Sequence, residues 1–196
     1  MDIQYLTKIS NILREGVSTG LDVFDFANSF SQTQLESKTW LVEALSKQNY
    51  KQAPTILILG GWYGSYLVPL LNEYINPSHI HFNDIDKRCL NVATQLHTQK
   101  NISFHHFDAT TNYIHFNADI VINTSCEHMM WYKEMLKEGP NTLFVLQSCD
   151  EEKDPGHVNV SHSTDDFVSK LGLNRVFFRA RKSLGRKNRF MVIGKP

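Results

Sequence analysis

The sequence predicts an α/β fold: a mostly parallel seven-stranded sheet with helices on both faces, a terminal antiparallel hairpin and a helical N-terminal cap. Three observations lead there. From residue 55 onward, short apolar, β-branched runs alternate with stretches that carry apolar residues at helical spacing, the pattern of right-handed β-α-β crossovers. The end of the chain reads as two strands around a turn near Gly185. Residues 1–50 look mainly helical, with Leu6, Ile9, Ile12 and Leu13 on one face and Trp40, Leu41 and Leu45 on another. At 196 residues, 41% hydrophobic and 20% charged, the chain can sustain one core without disulfides or metal. The organisation expected is an N-terminal extension or cap, 1–50, on a main domain, 51–196, forming one globular unit.

The elements follow in order. Thr55–Leu59 (TILIL) is a short buried strand ending in glycines. Residues 63–75 place Tyr66, Leu67, Leu70, Leu71 and Tyr74 on a helix, with Pro69 predicting an irregular first turn or a kink. His79–Asn83 reads as a strand, Lys87–Gln99 as a helix, Ile102–Phe107 as a strand and Ala118–Asn123 as another. A helix is expected over roughly 128–138, then a strand over Thr142–Gln147 (TLFVLQ). Ser163 and Asp166 have the spacing of a capping box for a short helix over 163–172. The hairpin strands are expected at about 175–180 and 189–194.

Net charge is zero, but unevenly distributed. Residues 1–170 carry a net −8, and 171–196 carry eight cations and no acid. Apolar residues interleave those cations, so the segment is a folded hairpin and not a disordered basic arm. Arg179, Arg181, Lys182, Arg186 and Lys187 could meet nucleic-acid phosphates, bind an anionic substrate or neutralise an acidic loop. No basic stretch followed by an apolar one opens the chain, and no apolar run is long enough to span a bilayer. With three cysteines in no recognisable spacing, these features predict a cytoplasmic protein with free thiols and no membrane partner.

In open parallel sheets, ligands bind beyond the carboxyl ends of the strands, near the point where strand order reverses. The loop Gly60-Gly61-Trp62-Tyr63-Gly64-Ser65 lies there. Its glycines allow a tight turn and close approach of backbone to ligand, although Trp62 breaks the full G-x-G-x-x-G pattern. Asp84 ends the second strand, 24 residues after Gly60, where a carboxylate can accept hydrogen bonds from vicinal ribose hydroxyls. Asp108 ends the third, placed to accept from an adenine amino group. Together they favour an adenosine-containing ligand. Asp86 is the alternative ribose acid, better suited to a helix N-terminus.

The segments ILILGGWYG, HFNDIDKRCLNVA, FHHFDAT, ADIVINTSCEH and LKEGPNTLFVLQS, in this order and spacing, resemble the class I, Rossmann-like S-adenosylmethionine (SAM)-dependent methyltransferases over about 55–194. The resemblance implies SAM as cofactor. It places Gly60, Gly61 and Gly64, in the loop with Trp62, at the amino-acid end of SAM, Asp84 at the ribose, and Asp108 with Ala109 at the adenine. A nicotinamide-binding domain is the nearest rival, disfavoured by the glycine-poor loop, Asp108 and the terminal hairpin.

Asn123-Thr124-Ser125-Cys126-Glu127-His128 follows the fourth strand, where this architecture faces the methyl group. One reading caps the next helix with Thr124 or Ser125. Three chemical readings stand beside it: His128 or Glu127 as general base; Cys126 as a nucleophile, opposed by the adjacent acid; or Asn123 and the loop backbone orienting substrate and SAM. The acidic run CDEEKDPGHVNVSHS after the fifth strand is expected to form a lid, its His157 and His162 matching no standard metal spacing. Ser37-Lys38-Thr39-Trp40 is a candidate to fold over the pocket. The function expected is methyl transfer from SAM to a small molecule or a nucleic acid, with a non-catalytic SAM- or nucleotide-binding protein as the alternative.

Overall fold

The structure, a computed structural model, describes residues 3–19, 21–130 and 133–196, and the side chains of all these except 17–19 and 133–134. Seven strands form one sheet: β1 (Thr55–Leu59), β2 (His79–Asp84), β3 (Ile102–His106), β4 (Ile120–Asn123), β5 (Leu143–Cys149), β6 (Arg175–Leu184) and β7 (Lys187–Lys195). Their order is β3-β2-β1-β4-β5-β7-β6. The first five pair in parallel, and the terminal hairpin is antiparallel, with β7 against β5. The order reverses between β1 and β4, so a crevice opens where their carboxyl ends diverge.

The central strands are buried on both faces, and the two-residue period of a strand sorts their side chains into two layers. Ile56, Ile58, Ile80, Phe82, Ile122 and Val145 share one apolar cluster. Leu57, Leu59, Val121, Phe144 and Leu146 share the other, with Phe167 and Leu171 of helix α6 (Thr164–Leu171). The N-terminal helices are α1 (Ile3–Thr19), α2 (Val23–Asn28) and α3 (Gln32–Ser46). Leu41, Val42, Ala44 and Leu45 of α3 belong to the first cluster, so α3 is a core helix packed beside α4 (Leu67–Tyr74). Ser37 and Gln147 fix its register on β5: Ser37 Oγ donates to Gln147 Oε1 at 3.0 Å, and Gln147 Nε2 returns a bond to the Ser37 carbonyl at 3.3 Å. Helix α1 packs on α5 (Lys87–Leu96).

Several boundaries differ from the sequence expectation. Residues 63–66 belong to the loop and the turn before α4, because the glycines extend the turn and helical hydrogen bonding begins only afterwards. Pro69 therefore falls in the first helical turn, where a missing N–H leaves no bond unmade. The helix expected over 128–138 is replaced by two short 3₁₀ segments, Cys126–His128 and Lys133–Glu138; residues 131–132 lie outside the described residues. The hairpin strands run several residues longer than expected and meet at Gly185, whose φ of 65° suits glycine. Ser163 caps α6 by accepting from Asp166 N at 3.0 Å, while the Asp166 carboxylate accepts from His162 N and Lys170 Nζ.

Candidate functional site

A cavity of about 730 Å³ lies at the carboxyl ends of the parallel strands, and its two ends differ in chemistry. At the first end the chain leaves β1 through Gly60 and Gly61. A Cβ on Gly61 would stand 2.3 Å from the ring of the fully buried Phe82, and one on Gly60 would stand 2.5 Å from Met129. Gly61 is required by that close packing against the buried Phe82 ring, and Gly60 by its φ of 60°. Trp62 adopts a φ of 54°, a conformation costly for a side chain of its size. It is held there at both ends: Trp62 N donates to Asp84 Oδ2 at 2.7 Å, and the indole N–H donates to Asp25 Oδ2 at 2.9 Å. Tyr63 OH donates to the same Asp25 oxygen at 2.9 Å. Helix α2 thus supplies the carboxylate that clamps the loop.

Asp84 is buried at the end of β2 and lines the cavity. Its other oxygen accepts from Asp86 N at 2.8 Å. Burial raises its pKa above the ordinary carboxylate value, against the pull of the backbone N–H groups of Asp86 and Trp62. Asp86 points elsewhere: it caps α5 by accepting from Arg88 N at 2.8 Å and pairs with the Arg88 guanidinium. Asp108 and Ala109 line the same end. Asp108 accepts from Thr110 N at 2.8 Å and from the hydroxyls of Thr110 and Thr111, and these bonds, the Thr110 hydroxyl's foremost, hold its pKa below the ordinary value.

The loop after β4 divides the sequence candidates. Thr124, Ser125, Glu127 and His128 line the cavity; Asn123 and Cys126 do not. Asn123 is fully buried and accepts from Ser125 N at 2.8 Å, so it shapes the loop from beneath. Cys126 is buried in the same apolar cluster as Leu59, Val121 and Phe144, with its thiol toward the Asn123 carbonyl. Cys126 is 3% exposed and outside the cavity lining, a placement that favours a packing role over nucleophilic attack. His128 is exposed; its Nδ1 bonds the Gly156 carbonyl at 3.1 Å. A carbonyl only accepts, so Nδ1 carries the hydrogen and neutral His128 presents a lone pair on Nε2.

The second end holds groups that the sequence reading did not join. Glu127 and Arg189 are 2% and 5% exposed, and Arg189 Nη1 donates to Glu127 Oε1 at 2.5 Å. Burial pushes the Glu127 carboxyl up, but the Arg189 guanidinium and nearby donors hold it below the usual range. Lys187 lines the cavity and pairs with Glu151 at 2.9 Å. Lys38 of α3 also lines it; burial, then the charges of Arg189 and Lys187, lower its pKa to about 7, against the pull of Glu127. The run 150–162 folds over this end: Val158 N and Asn159 N donate to the Glu127 carbonyl, and Asp150 accepts from Asn188 N at 2.8 Å. His157 packs edge-on against His128, ring centres 4.5 Å apart. Glu127, Cys149 and His157 bring donor atoms within 4.8 Å of one another. Arg189 holds Glu127 Oε1, and burial, then the charge of Glu127, pushes the Cys149 thiol up to about 11.

Of the hairpin cations, Lys187 and Arg189 turn into the cavity, and Arg179 pairs with Asp165 at 2.6 Å. Arg181, Lys182 and Arg186 stay outside it. Among the described residues, no helix is long and apolar enough to cross a membrane.

The fold and the position of the cavity define the class: this is the class I methyltransferase fold. Solved structures with the same architecture include a SAM-dependent methyltransferase from Aquifex aeolicus, 16% identical, with 88% of this chain and 98% of that one aligned at a TM-score of 0.61. Magnesium protoporphyrin IX methyltransferase from Synechocystis PCC 6803, with bound S-adenosylhomocysteine (SAH), is 14% identical over 96% of this chain and 100% of its own, TM-score 0.61. Coclaurine N-methyltransferase, bound to N-methylheliamine and SAH, is 11% identical over 93% and 69%, TM-score 0.62. No protein-family model matches the sequence, and no curated protein matches it. At these identities the likeness is one of fold.

Proposed function

We propose that the protein is a SAM-dependent methyltransferase. The observation that carries this reading is the single cavity that joins the glycine loop, Asp84, Asp108 and Ala109 to a separate polar end built by Lys38, Glu127 and Arg189. Its volume, about 730 Å³, lies within the range of about 300–1,000 Å³ typical of small-molecule sites.

The residues present fit SAM. Gly60, Gly61 and Gly64, with Trp62, form the backbone cradle for its amino-acid end. Asp84 spends one acceptor site of each oxygen on a backbone N–H, leaving others for ribose hydroxyls. Asp108 and Ala109 stand where the adenine would lie. SAM bound there supplies an electrophilic methyl group on a sulfonium. The protein's part is to align an acceptor lone pair with it and exclude water, the run 150–162 serving as the cover. His128, through Nε2, is the group suited to take the acceptor's proton. Asn123 is a positioning residue that fixes Ser125.

A cytoplasmic setting is supported by three free cysteines, all buried. The nucleic-acid reading retains Arg181, Lys182 and Arg186 on the outer hairpin, and a steep loss of binding with salt would be its signature. Calorimetry with SAM and SAH, followed by transfer of radiolabel from SAM to fractionated RNA, DNA, protein and small molecules, tests the proposal. Binding of neither ligand overturns it. Binding of SAH without turnover on any fraction leaves a non-catalytic SAM-binding protein.

A further inference from the structure

Resting on the methyltransferase reading, we infer that the acceptor is a small molecule bearing an anionic group, a carboxylate or a phosphate, next to a hydrogen-bond donor, and that Lys38, Lys187 and Arg189 bind the anion while Glu127 binds the donor.

The cations of the cavity lining are gathered at one end. Asp25, Asp84 and Asp108 line the glycine-loop end, whereas Lys38, Lys187 and Arg189, the lysines and arginine of the lining, converge on the other. Alternation along β7 places Lys187 and Arg189 on the same face as Met191 and Ile193, the face that carries α3. The Ser37–Gln147 bonds then hold the next residue, Lys38, against them. Glu127 neutralises Arg189, and Glu151 neutralises Lys187. Lys38 has no hydrogen-bond or ion-pair partner among the described residues, and the nearby cations press on it. Asp154 also lines the cavity and acts on Lys187, so Lys38 is the cation of the three left for a ligand anion to pair.

Two buried atoms also lack partners. Arg189 Nε and Glu127 Oε2 make no hydrogen bond, although both residues line the cavity. A buried donor or acceptor left unpaired is expensive, and most so on a charged group. A ligand anion facing Nε and Lys38 Nζ supplies both missing acceptors. A ligand N–H or O–H facing Glu127 Oε2 supplies the missing donor. A nucleic acid reaching this point would contribute its phosphates at the hairpin's outer face, where Arg181 and Arg186 lie, and would leave these inner atoms unmatched.

The test uses the full chain, free and loaded with SAH, with acetate and inorganic phosphate as probes and chloride at equal ionic strength as control. Lys38, partly uncharged near neutral pH, is labelled with a neutral acylating reagent, and its rate of modification is followed by peptide mass spectrometry. Acetate or phosphate is expected to slow that rate at least threefold relative to chloride, and the stronger probe names the anion. Thermal stabilisation by the same probe is expected to vanish in Lys38→Met while SAH affinity stays within twofold. Radiolabelled product from a small-molecule extract is expected to be retained on an anion exchanger. Equal Lys38 labelling with all three salts, or label appearing only in RNA or DNA, overturns the inference and leaves the methyltransferase reading intact. Failure to bind SAM or SAH overturns that reading instead, while the anion result in the free protein still stands by itself.

Discussion

Removing the guanidinium of Arg189 is the sharpest perturbation of this architecture. The Glu127–Arg189 pair is 2% and 5% exposed with a contact of 2.5 Å, so Arg189→Met strands a carboxylate in a site that water barely reaches. Breaking a buried pair by removing one partner costs about 3–5 kcal/mol, chiefly for the uncompensated charge. In a domain of this size each kcal/mol shifts Tm by about 2–4 °C, so the expected loss is about 6–20 °C. Urea unfolding would show a lower midpoint with an unchanged slope. The effect should depend on pH with a definite sign. Without Arg189, burial dominates and raises the Glu127 pKa above its unfolded value. A raised carboxyl stabilises the fold only at pH below its unfolded pKa, and that contribution is lost as pH rises through the folded pKa. Arg189→Met should therefore lose more stability relative to the parent at pH 8 than at pH 5. The double variant Glu127→Gln, Arg189→Met removes the stranded charge and should recover most of the loss. A cost below about 1 kcal/mol, the value of a solvent-exposed pair, with no pH dependence would refute the reasoning.

Three further outcomes follow from the same geometry. Gly61→Ala drives a Cβ into the Phe82 ring, so SAM affinity by calorimetry should fall at least about tenfold (about 1.4 kcal/mol); Phe82→Leu in the same chain should return part of it. Cys126→Ser should leave turnover within about twofold, because the thiol lies in an apolar cluster outside the cavity; abolished turnover in a folded variant would restore covalent catalysis. The affinity of an anionic acceptor should fall about tenfold between pH 6 and pH 8, as the protonated fraction of Lys38, with its pKa of about 7 set among Arg189, Lys187 and Glu127, drops by that factor; a flat profile would place the anion elsewhere.

The parallel sheet was legible because its signals are local. TILIL, ADIVIN and TLFVLQ are apolar, β-branched runs whose length and flanking turns suffice to identify strands. The glycine loop with Asp84 and Asp108 was legible for the same reason, since each sits at the end of its own strand or just beyond it. Locality also marks where the reading stopped. Asn123 and Cys126 lie in the same polar run as Ser125 and Glu127, but which of those six side chains faces the cavity is decided by the turn after β4, where a 3₁₀ segment replaces an α-helix. Composition says nothing about that turn.

Arg189 and Lys38 were hidden for a different reason. Arg189 lies 62 residues from Glu127, and in a hairpin of eight cations nothing local distinguishes the inward ones. The available signal was parity: Lys187, Arg189, Met191 and Ile193 alternate onto one face of β7. That count becomes informative only once the helix covering that face is known. Residues 37, 38, 41, 42 and 45 lie along one side of α3, the helix that packs on the sheet, with Ser37 buried against Gln147 and Lys38 next to it. Once α3 is placed on the sheet, the parity of β7 and that side of α3 bring three cations to one end of the cavity. The charge asymmetry of the sequence then has a structural meaning. The outer cations of the hairpin face solvent, while Lys187 and Arg189 build the floor on which an acceptor's anion would rest.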